Sequence, residues 1–463
     1  MNRYVEIFLD VEKNAGLFNE CLYDLKIWPF LRLEMFRLIE RQIKSTNMIP
    51  VCYRHKFNSV GNTLMDVDAR RYCQQFYNRR VGKDVLFVNS KHRMVQKNGV
   101  KFCPVTSTMA KHFGDRGGYI THSYQQTSNI DGESYWDVNY DNVIKSPKFS
   151  YEETDIEAFI NRMANQFSTV YNVIFDADFF HDLKNQIIYI FECRSFSYFY
   201  EEQLSKLLPK AIVFSSYYEI INMFIIDIAN NLGINTIEMQ HGIIGAEHIP
   251  YNTKVNGNYM CHPRYMFTYG QFDKETMRPF VKKDNIYITG NSYLNYSIDN
   301  YSEKSINNDG VLIVAFINNN DALLRFAVEL KKRTKFPITY RMHPERIDDA
   351  EIRFLVRHGI SVTSSRCSLI YDDIVKHDYI ISTCSTVLHE ALCFGKNVFS
   401  LELDIDDERS ITKKLPRISN VDDFILKRHH FNKTDCIKLG EYFYARNQFD
   451  NACLVLEQII SAK

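Results

Sequence analysis

The chain has 463 residues, of which 45% are hydrophobic and 14% aromatic, and its 56 Lys and Arg residues balance 56 Asp and Glu residues. A chain of this length usually forms about two domains of roughly 200 residues, each with its own core. Zero formal net charge provides no basic field to hold a nucleic-acid backbone, so we expect no nucleic-acid partner.

The cysteines and the apolar runs predict a cellular location. None of the eleven cysteines forms a Cys-x-x-Cys pair, a pattern typical of buried, reduced thiols. The N-terminal apolar stretch contains acidic residues, unlike a signal peptide, and no run reaches the roughly 18 apolar residues of a membrane span. The sequence therefore predicts a cytoplasmic protein and leaves open a peripheral association with the inner face of the cytoplasmic membrane.

The first half of the chain begins with a helical pattern at residues 18–45 and continues to a strand at Val85–Val88. A polar cluster that contains Lys91 and Arg93 follows this strand. Ligands of open α/β sheets bind beyond the carboxyl ends of the strands, so these two side chains are candidate acceptor-binding residues. A solvated turn is the more common explanation of such a cluster.

The rest of the first half alternates between helices and strands. Residues from about 150 to 208 are helical by pattern, and a helix is predicted at Tyr217–Leu232. The predicted strands are Ala211–Phe214, Ile234–Met239, Tyr265–Thr268 and Ile286–Thr289. This alternation indicates right-handed βαβ units and a parallel sheet.

A polar, turn-rich stretch at residues 300–310 predicts a domain boundary, after which the alternation restarts. Strands are predicted at 311–316, 338–341, 360–362 and 397–401 and over the apolar run 379–381, and helices at 321–332, 351–358, 387–394 and 434–460. The predicted fold class is α/β, with two tandem doubly wound Rossmann-like domains that face a central cleft. The predicted domains are residues 1–305, residues 306–432, and a C-terminal helix at 433–463 that packs back across both.

The first motif with chemical potential follows the predicted strand 234–239. It contains Gln240, His241 and Gly242, with Glu247 and His248 a few residues later. We assign Gln240 and Gly242 to the acceptor site or the cleft. A histidine beside a glycine at a strand end suits a general base, because its unperturbed pKa lies near 6.5. A histidine that only hydrogen-bonds a neighbouring loop is the alternative.

The second motif, Arg341-Met342-His343-Pro344, also ends a strand. Proline biases His343 to an extended backbone, and with Arg341 it forms a cationic pair suited to a diphosphate or a leaving phosphate. Gly290 and Asn291 form a further turn after a strand, which we assign to the cleft.

The third motif is a hydroxyl-rich turn between a strand and a helix. It contains Ser382, Thr383, Ser385 and Thr386, and Glu390 lies one turn into the helix. Unpaired amide groups at a helix start suit the phosphate of a nucleotide, and a carboxylate there can accept hydrogen bonds from ribose hydroxyls. An ordinary helix cap and a solvated surface acid are the alternatives.

Other common nucleotide and metal motifs do not occur in the sequence. There is no His-Glu-x-x-His motif, no Walker-type Gly-Lys-Ser/Thr loop and no Gly-x-Gly-x-x-Gly loop. We therefore predict no metal and no cofactor, and neither a nucleotide hydrolase nor a dinucleotide oxidoreductase.

The three motifs together resemble bacterial surface-polysaccharide transferases of the GT-B architecture. This group holds capsule and O-antigen type glycosyltransferases, bacterial sialyltransferases and CDP-glycerol glycerophosphotransferases. The resemblance rests on Gln240-His241-Gly242, on His343-Pro344 and on the Ser382–Glu390 segment, and covers roughly residues 205–402. The segment Ile27–Arg32 also looks like the N-terminal region of capsule-type transferases.

The resemblance implies transfer of a sugar from a nucleotide-activated donor, CMP- or CDP-linked by preference, to a glycan or lipid-linked acceptor. The donor would lie on the C-terminal domain, with His343, Ser385 and Thr386 on its phosphate, and the acceptor on the N-terminal one. The chain lacks the Asp/Glu-Asp/Glu-Gly segment that carries the base of sialyltransferase-like members, so we predict His241 as the base, with Glu247 and His248 as alternatives. A non-hydrolysing nucleotide-sugar 2-epimerase and a non-catalytic sugar-binding subunit are the rival functions.

Overall fold

A computed structural model describes most of the chain. It covers residues 3–44, 74, 76–90, 94–97, 100–123, 137–139, 150–257, 259–301, 310–316, 320–344, 346–402, 410–429, 432–446 and 449–462. Lys91 and Arg93, and the predicted boundary between residues 305 and 306, lie outside this part of the chain.

Two helices and a small hairpin open the chain, and a seven-stranded parallel sheet follows. The helices are α1 (Arg3–Asn14) and α2 (Trp28–Lys44), and the hairpin pairs β1 (Cys21–Leu22) with β2 (Leu25–Lys26). The sheet is built from β3 (Val85–Asn89), β6 (Gly117–Ser123), β7 (Asp137–Asn139), β8 (Ala211–Phe214), β9 (Asn235–Met239), β10 (Tyr265–Thr268) and β11 (Ile286–Ile288). A second hairpin joins β4 (Val95–Lys97) to β5 (Val100–Phe102).

Helices connect the strands of this sheet and cover it. They are α3 (Ser107–Phe113), α4 (Glu153–Tyr171), α5 (Ala177–Leu207), α6 (Ile220–Asn231), α7 (Gln271–Thr276) and α8 (Ser292–Tyr301). The aliphatic and aromatic residues of α1, α2, α4, α5 and α6 pack with one face of the sheet in a single buried cluster.

The second sheet has six parallel strands. They are β12 (Val311–Val314), β13 (Ile338–Arg341), β14 (Ser361–Thr363), β15 (Tyr379–Ser382), β16 (Asn397–Leu401) and β17 (Arg417–Ile418). Its helices are α9 (Asp321–Arg333), α10 (Asp349–Arg357), α11 (Ile370–Val375), α12 (Val387–Cys393) and α13 (Val421–Lys427), and α14 (Lys433–Phe443) and α15 (Phe449–Ser461) end the described chain.

Strand order shows that both sheets are doubly wound. The first sheet runs β11-β10-β9-β8-β3-β6-β7 and the second β14-β13-β12-β15-β16-β17. In each, the chain builds three strands in one direction, returns to the first strand, and continues in the other direction. This is the Rossmann order, and it confirms the predicted α/β class with two tandem Rossmann-like sheets. Ligands of such sheets bind where the order reverses, which is between β3 and β8 in the first sheet and between β12 and β15 in the second.

Some local predictions were wrong. Residues 21–26 form the first hairpin and not the start of the predicted helix. The sequence interpretation did not include β6 and β7, since Gly117, Gly118 and three polar residues interrupt the apolar pattern of β6. The predicted C-terminal helix is two helices, α14 and α15, because Tyr444 leaves the helical conformation.

The C-terminal helices contact both halves of the chain. Helix α14 packs on α12 of the second sheet, and Gly270 of the first half approaches it so closely that a Cβ atom there would lie 2.3 Å from the carbonyl oxygen of Phe443. Helix α15 places Ala452, Cys453 and Leu456 in the buried cluster on the other face of the first sheet. The chain therefore crosses from the second sheet back to the first at its end.

A buried ion pair joins the N-terminal helices to the loop after β9. Arg32 donates to both carboxylate oxygens of Glu12, from Nε at 2.6 Å and from Nη2 at 2.8 Å. The indole of Trp28 donates to the same carboxylate at 2.9 Å. Arg32 also donates to the carbonyl oxygens of Ile249 at 2.5 Å and Asn252 at 2.9 Å. Glu12 is fully buried and Arg32 is 2% exposed, so each charge depends on the other.

None of the described helices is long and apolar enough to cross a bilayer. The nine described cysteines are all free thiols, but the prediction that they are buried was wrong for Cys21 and Cys367, which are exposed.

We expect Arg32→Ala to lower the free energy of unfolding by about 3–5 kcal/mol, because it leaves the Glu12 carboxylate buried without its counter-charge. Urea denaturation measures the loss. The control is Lys206→Ala, which breaks an exposed ion pair with Glu202 and should cost about 0.5 kcal/mol or less. Equal losses in the two variants would contradict the role of the buried pair.

Candidate functional site

Gln240 fixes the start of the loop that follows β9. Its side chain is 1% exposed, donates from Nε2 to the carbonyl oxygen of Gly242 at 2.8 Å, and accepts the amide of Tyr269 on Oε1 at 2.6 Å. Asp273, also fully buried, accepts the amide of Ile244 at 2.7 Å. These bonds hold the backbone on both sides of His241, so we assign Gln240 a positioning role and not a contact with the acceptor.

His241 lies between a carboxylate and a phenol. Its Nδ1 is 3.5 Å from Oε1 of Glu238, and its Nε2 is 3.0 Å from the hydroxyl oxygen of Tyr218. Glu238 is fully buried and accepts a hydrogen bond from the hydroxyl of Tyr251 at 2.6 Å. The 3.5 Å contact is an ion-pair distance and not a hydrogen bond. A carboxylate this near to an imidazole stabilises the protonated ring by its opposite charge, which favours a general base.

The structure brings His248 to the same place and gives no such arrangement to Glu247. The ring of His248 lies 4.8 Å from that of Tyr251 and 5.6 Å from that of Tyr218, the two tyrosines that also contact His241. Glu247 is half-buried in the same loop. The loop therefore places His248 beside the same two tyrosines as His241.

The hydroxyl-rich turn lies at the point where the order of the second sheet reverses. Ser382 ends β15, and its hydroxyl donates at 2.7 Å to the carbonyl oxygen of Val314, the last residue of β12. The hydroxyl of Thr383 is buried and has no hydrogen-bond partner among the described residues. A buried polar atom without a partner is costly, so its presence at this point indicates a place for a ligand or a water.

The prediction that the backbone amides at the start of α12 are unpaired was wrong for four of them. The amide of Val387 donates to the hydroxyl of Ser385 at 3.3 Å, and the amides of Leu388, His389 and Glu390 donate to carbonyl oxygens of Ser385 and Thr386. These four groups are therefore used within the turn. We find no acceptor among the described residues for the amides of Ser385 and Thr386 themselves. Any phosphate at this turn would meet those two amides.

Arg341 has partners inside its own domain. Its guanidinium forms an ion pair with Asp373 and donates to the hydroxyl and carbonyl oxygens of Ser368, at 2.8 and 2.9 Å. Because Arg341 is only 5% exposed, it is not placed to receive a diphosphate. We therefore reassign Arg341 from phosphate binding to the support of the loop that contains Ser368. His343 is half-buried and lies just past the carboxyl end of β13. Because β13, β12 and β15 are consecutive parallel strands of the second sheet, His343 lies at the same edge of the sheet as the turn after β15.

Glu390 lies in an aromatic environment between the two halves of the chain. Its carboxyl group hydrogen-bonds to the hydroxyl of Tyr371, and burial raises its pKa to about 7. Tyr371 and Tyr444 are buried, and the nearby Glu390 carboxylate contributes to raising their pKa values, after the larger effect of burial. Near neutral pH this carboxyl group is thus close to half protonated.

An apolar core brings the loops of the two sheets together. Ile243, two residues after His241, belongs to the same buried cluster as Leu388 of α12 and Val314 of β12. The ring of Tyr269, whose amide binds Gln240, lies 5.1 Å from that of Tyr444. The loop after β9 and the turn after β15 therefore flank one shared core.

Gly290 and Asn291 do not belong to this group. They follow β11, which is the edge strand of the first sheet and three strands away from β8. Gly290 has a φ of +67°, and a Cβ atom there would lie 2.3 Å from the carbonyl oxygen of Ala445. Asn291 accepts the amide of Leu294 at 3.1 Å and so caps α8. We reassign both from the cleft to packing and capping.

The sequence interpretation gave no role to Tyr218 and Glu238, which contact His241, or to Asn320, which lies past the carboxyl end of β12. Glu238 occupies an interior position of a buried strand, where an acid is unusual, and this was the available signal. Asn320 follows the polar run after β12. Its Oδ1 accepts the amide of Phe316 at 2.9 Å, whereas its buried Nδ2 has no partner among the described residues. Nothing in the sequence singles out Tyr218.

Within the described ranges, no group of three or more His, Cys, Asp or Glu side chains is placed to hold a metal ion. Metal independence remains a prediction.

The chain matches no protein-family model and no curated protein sequence. It is similar to solved structures at low identity. A UDP-GlcNAc 2-epimerase from Neisseria meningitidis is 11% identical, with 82% of this chain and 100% of the other covered and a TM-score of 0.44. The wall teichoic acid polymerase TagF is 12% identical, with 93% and 98% covered and a TM-score of 0.47. UGT89C1 from Arabidopsis thaliana is 12% identical, with 81% and 99% covered and a TM-score of 0.47.

The raised pKa of Glu390 predicts a pH dependence of stability. The folded protein holds this proton up to about pH 7, whereas the ordinary pKa is 4.5, so the contribution is complete below about pH 4.5 and is lost as the pH rises to about 7. Glu390→Gln should therefore be more stable than the wild type at pH 8, by roughly 3 kcal/mol at most, with no gain at pH 4.5.

Urea denaturation from pH 4.5 to 8 measures this difference between the two proteins. Burial also raises the pKa of Asp273 to about 7. Asp273 is present in both proteins, so its effect on stability cancels in the difference between them. A difference that does not change with pH would contradict the placement of Glu390.

Proposed function

We propose that this protein is a glycosyltransferase that moves a sugar from a nucleotide-activated donor to a hydroxyl group of a glycan or lipid-linked acceptor. The observation that carries the proposal is the arrangement at His241: an imidazole at the carboxyl end of a parallel sheet, with the Glu238 carboxylate 3.5 Å behind it, in a loop that shares an apolar core with the second sheet. Such an imidazole suits removal of a proton from an acceptor hydroxyl.

The donor would bind at the reversal point of the second sheet. The unpartnered hydroxyl of Thr383 and the amides of Ser385 and Thr386 supply neutral donors for the phosphate groups. His343 would approach from the end of β13, and the Glu390 carboxyl group would accept hydrogen bonds from the ribose hydroxyls. We favour a CMP- or CDP-linked donor on the resemblance of these motifs, and UDP as the next candidate.

Transfer would proceed in one step. The acceptor oxygen forms a bond to the anomeric carbon while the bond from that carbon to the phosphate oxygen breaks. The acceptor proton passes to Nε2 of His241, with Glu238 stabilising the imidazolium, and the leaving phosphate keeps the electron pair. Tyr218, whose hydroxyl now lies 3.0 Å from Nε2, would have to give way to the acceptor or pass the proton on.

The cellular role that we propose is cell-surface polysaccharide assembly on the cytoplasmic side of the membrane, with peripheral attachment to it. This follows from the resemblance of the three motifs. Incubation with UDP-GlcNAc, CDP-glycerol and CMP-sialic acid, each with and without neutral oligosaccharide acceptors, tests the activity. Nucleotide release that depends on an acceptor supports a transferase, whereas interconversion of a free nucleotide sugar without an acceptor would establish the epimerase.

Replacement of the proposed base should reduce the rate and leave donor binding unchanged. We expect His241→Ala to lower kcat for transfer by about 10²- to 10⁴-fold, with the thermal shift by the nucleotide unaltered. His181→Ala is the control, because this residue lies on α5 and, among the described residues, hydrogen-bonds only to Asn185. If His241→Ala transfers at the wild-type rate with every donor, the proposed mechanism is wrong.

The turn after β15 offers a matched pair of hydroxyl variants. Thr383→Val removes a hydroxyl that has no internal partner, so we expect unchanged or higher stability and about three- to tenfold weaker nucleotide binding. Ser382→Ala removes a hydroxyl that bonds to Val314, so we expect a loss of about 1 kcal/mol in stability and little change in binding. Titration calorimetry with CMP, CDP and UDP measures the binding. Wild-type affinity in Thr383→Val would remove this turn from the donor site.

A further inference from the structure

The imidazole of His241 is shielded from the space that an acceptor would occupy. Its side chain is only 5% exposed, and its Nδ1 atom is buried. Its other nitrogen, Nε2, lies 3.0 Å from the hydroxyl oxygen of Tyr218, so this phenol occupies a position from which a proton would arrive. Tyr218 is half-buried, and its contact with Nε2 is only partly buried. Of the two side chains, Tyr218 is therefore the more accessible to an acceptor.

The hydrogen bond between the phenol and the imidazole has the direction that a proton relay needs. Oε1 of Glu238 lies 3.5 Å from Nδ1 of His241, and its negative charge favours the ring proton on that nitrogen. Nε2 is then the acceptor, and the hydroxyl of Tyr218 donates to it. A phenol oxygen that donates its proton can still accept a hydrogen bond. The hydroxyl of an acceptor can therefore donate to Tyr218 while Tyr218 donates to His241.

Neighbouring rings hold the Tyr218 phenol in place. The ring centroids of Tyr217, Tyr251 and His248 lie 5.7, 5.7 and 5.6 Å from that of Tyr218, at interplanar angles of 88°, 88° and 75°. Edge-to-face contacts of this kind are favourable beyond the area that they bury. Displacing the phenol to uncover Nε2 would break these three contacts as well as the hydrogen bond. The packing therefore favours a phenol that stays between the acceptor and the imidazole.

The hydroxyls of the two adjacent tyrosines are used elsewhere. Tyr217 is 4% exposed and donates to the carbonyl oxygen of Pro250. Tyr251 is 2% exposed and donates to Oε1 of Glu238 at 2.6 Å. Because each of these hydroxyls is buried and its proton is already bound to another group, neither is available to an acceptor.

We propose that Tyr218 is a catalytic residue that relays the acceptor proton to His241. The inference rests on the proposed function, because it adds a residue to that reaction. The acceptor oxygen bonds to the anomeric carbon and gives its proton to the Tyr218 oxygen, while the phenol gives its own proton to Nε2. The bond from the anomeric carbon to the phosphate oxygen breaks, and the phosphate keeps that electron pair. The phenol is neutral before and after, and the imidazolium holds the proton beside Glu238.

Tyr218→Phe in the full chain removes the hydroxyl and keeps the ring with its edge contacts. We expect single-turnover transfer to slow by about 10²-fold or more, with the Tm within about 2 °C of the wild type and the thermal shift by CMP, CDP or UDP unchanged. Tyr198→Phe is the matched control, because this tyrosine is 47% exposed on α5, and it should transfer at the wild-type rate.

Single-turnover rates in mixtures of H₂O and D₂O separate a relay from a structural effect of the hydroxyl. Two protons move together in the relay, so the wild-type rate should fall along a curve as the fraction of D₂O rises. One proton moves when the imidazole takes the acceptor proton directly, so the residual transfer by Tyr218→Phe should fall along a straight line. A straight line for the wild type would overturn the relay.

Diethyl pyrocarbonate tests the shielding without any substrate, because it acylates accessible neutral imidazoles. We expect His241 of the wild type to react more slowly than His358, which is exposed, and to react faster in Tyr218→Ala. Equal rates for the two histidines of the wild type would mean that an acceptor can reach the imidazole directly, and the relay would be wrong.

The activity measurements distinguish failure of the relay from failure of the proposed function. Transfer by Tyr218→Phe at the wild-type rate removes the relay and leaves the transferase, with His241 as the direct base. If the wild type transfers with no combination of donor and acceptor, the proposed function and the relay both fall.

Discussion

The contact on which the candidate site most depends is the buried pairing of Arg32 with Glu12. One guanidinium satisfies a carboxylate from α1 and two carbonyl oxygens from the segment after His248. The N-terminal helices are therefore not a separate appendage, because they fix the end of the loop that carries His241. Gln240 and Asp273 fix its beginning. A base held at both ends of its loop can keep its geometry while the ligands on either side change.

The two sheets share a pattern of incompletely satisfied polar groups. Three residues near the ends of these strands keep a buried polar atom without a partner among the described residues. They are Asn89 and Ser90, at and just after the end of β3 in the first sheet, and Thr383, just after the end of β15 in the second. Other hydroxyls at the same points do have a hydrogen bond, as those of Ser382 and Ser215 show. These three groups lie where parallel sheets of this order bind ligands, which makes them candidates for contact with a ligand. Other described atoms of the same kind lie elsewhere, such as Nδ2 and Oδ1 of Asn295 on α8.

The sequence predicted the sheets better than it predicted the contacts. Apolar runs and helical periodicity locate buried strands such as β8, β10 and β15 because local burial determines their pattern. They do not reveal β6, whose two glycines lie against Lys83 and α3. Arg341 shows the other limit. A basic residue at a strand end looked like a phosphate ligand, but its role depends on Asp373, a partner 32 positions away. Side-chain partners of that kind are set by the tertiary fold.

The pairing of Arg341 with Asp373 affects how the second sheet would bind a nucleotide. With its guanidinium held by Asp373, the groups left at the turn are the hydroxyl of Thr383 and two backbone amides. Neutral donors bind phosphate less tightly than a fixed cation does, because they supply hydrogen bonds without a full opposite charge. A transferase must release the spent nucleotide after each turnover, and its leaving phosphate gains negative charge only as the bond breaks. Neutral donors directed at that phosphate suit both requirements.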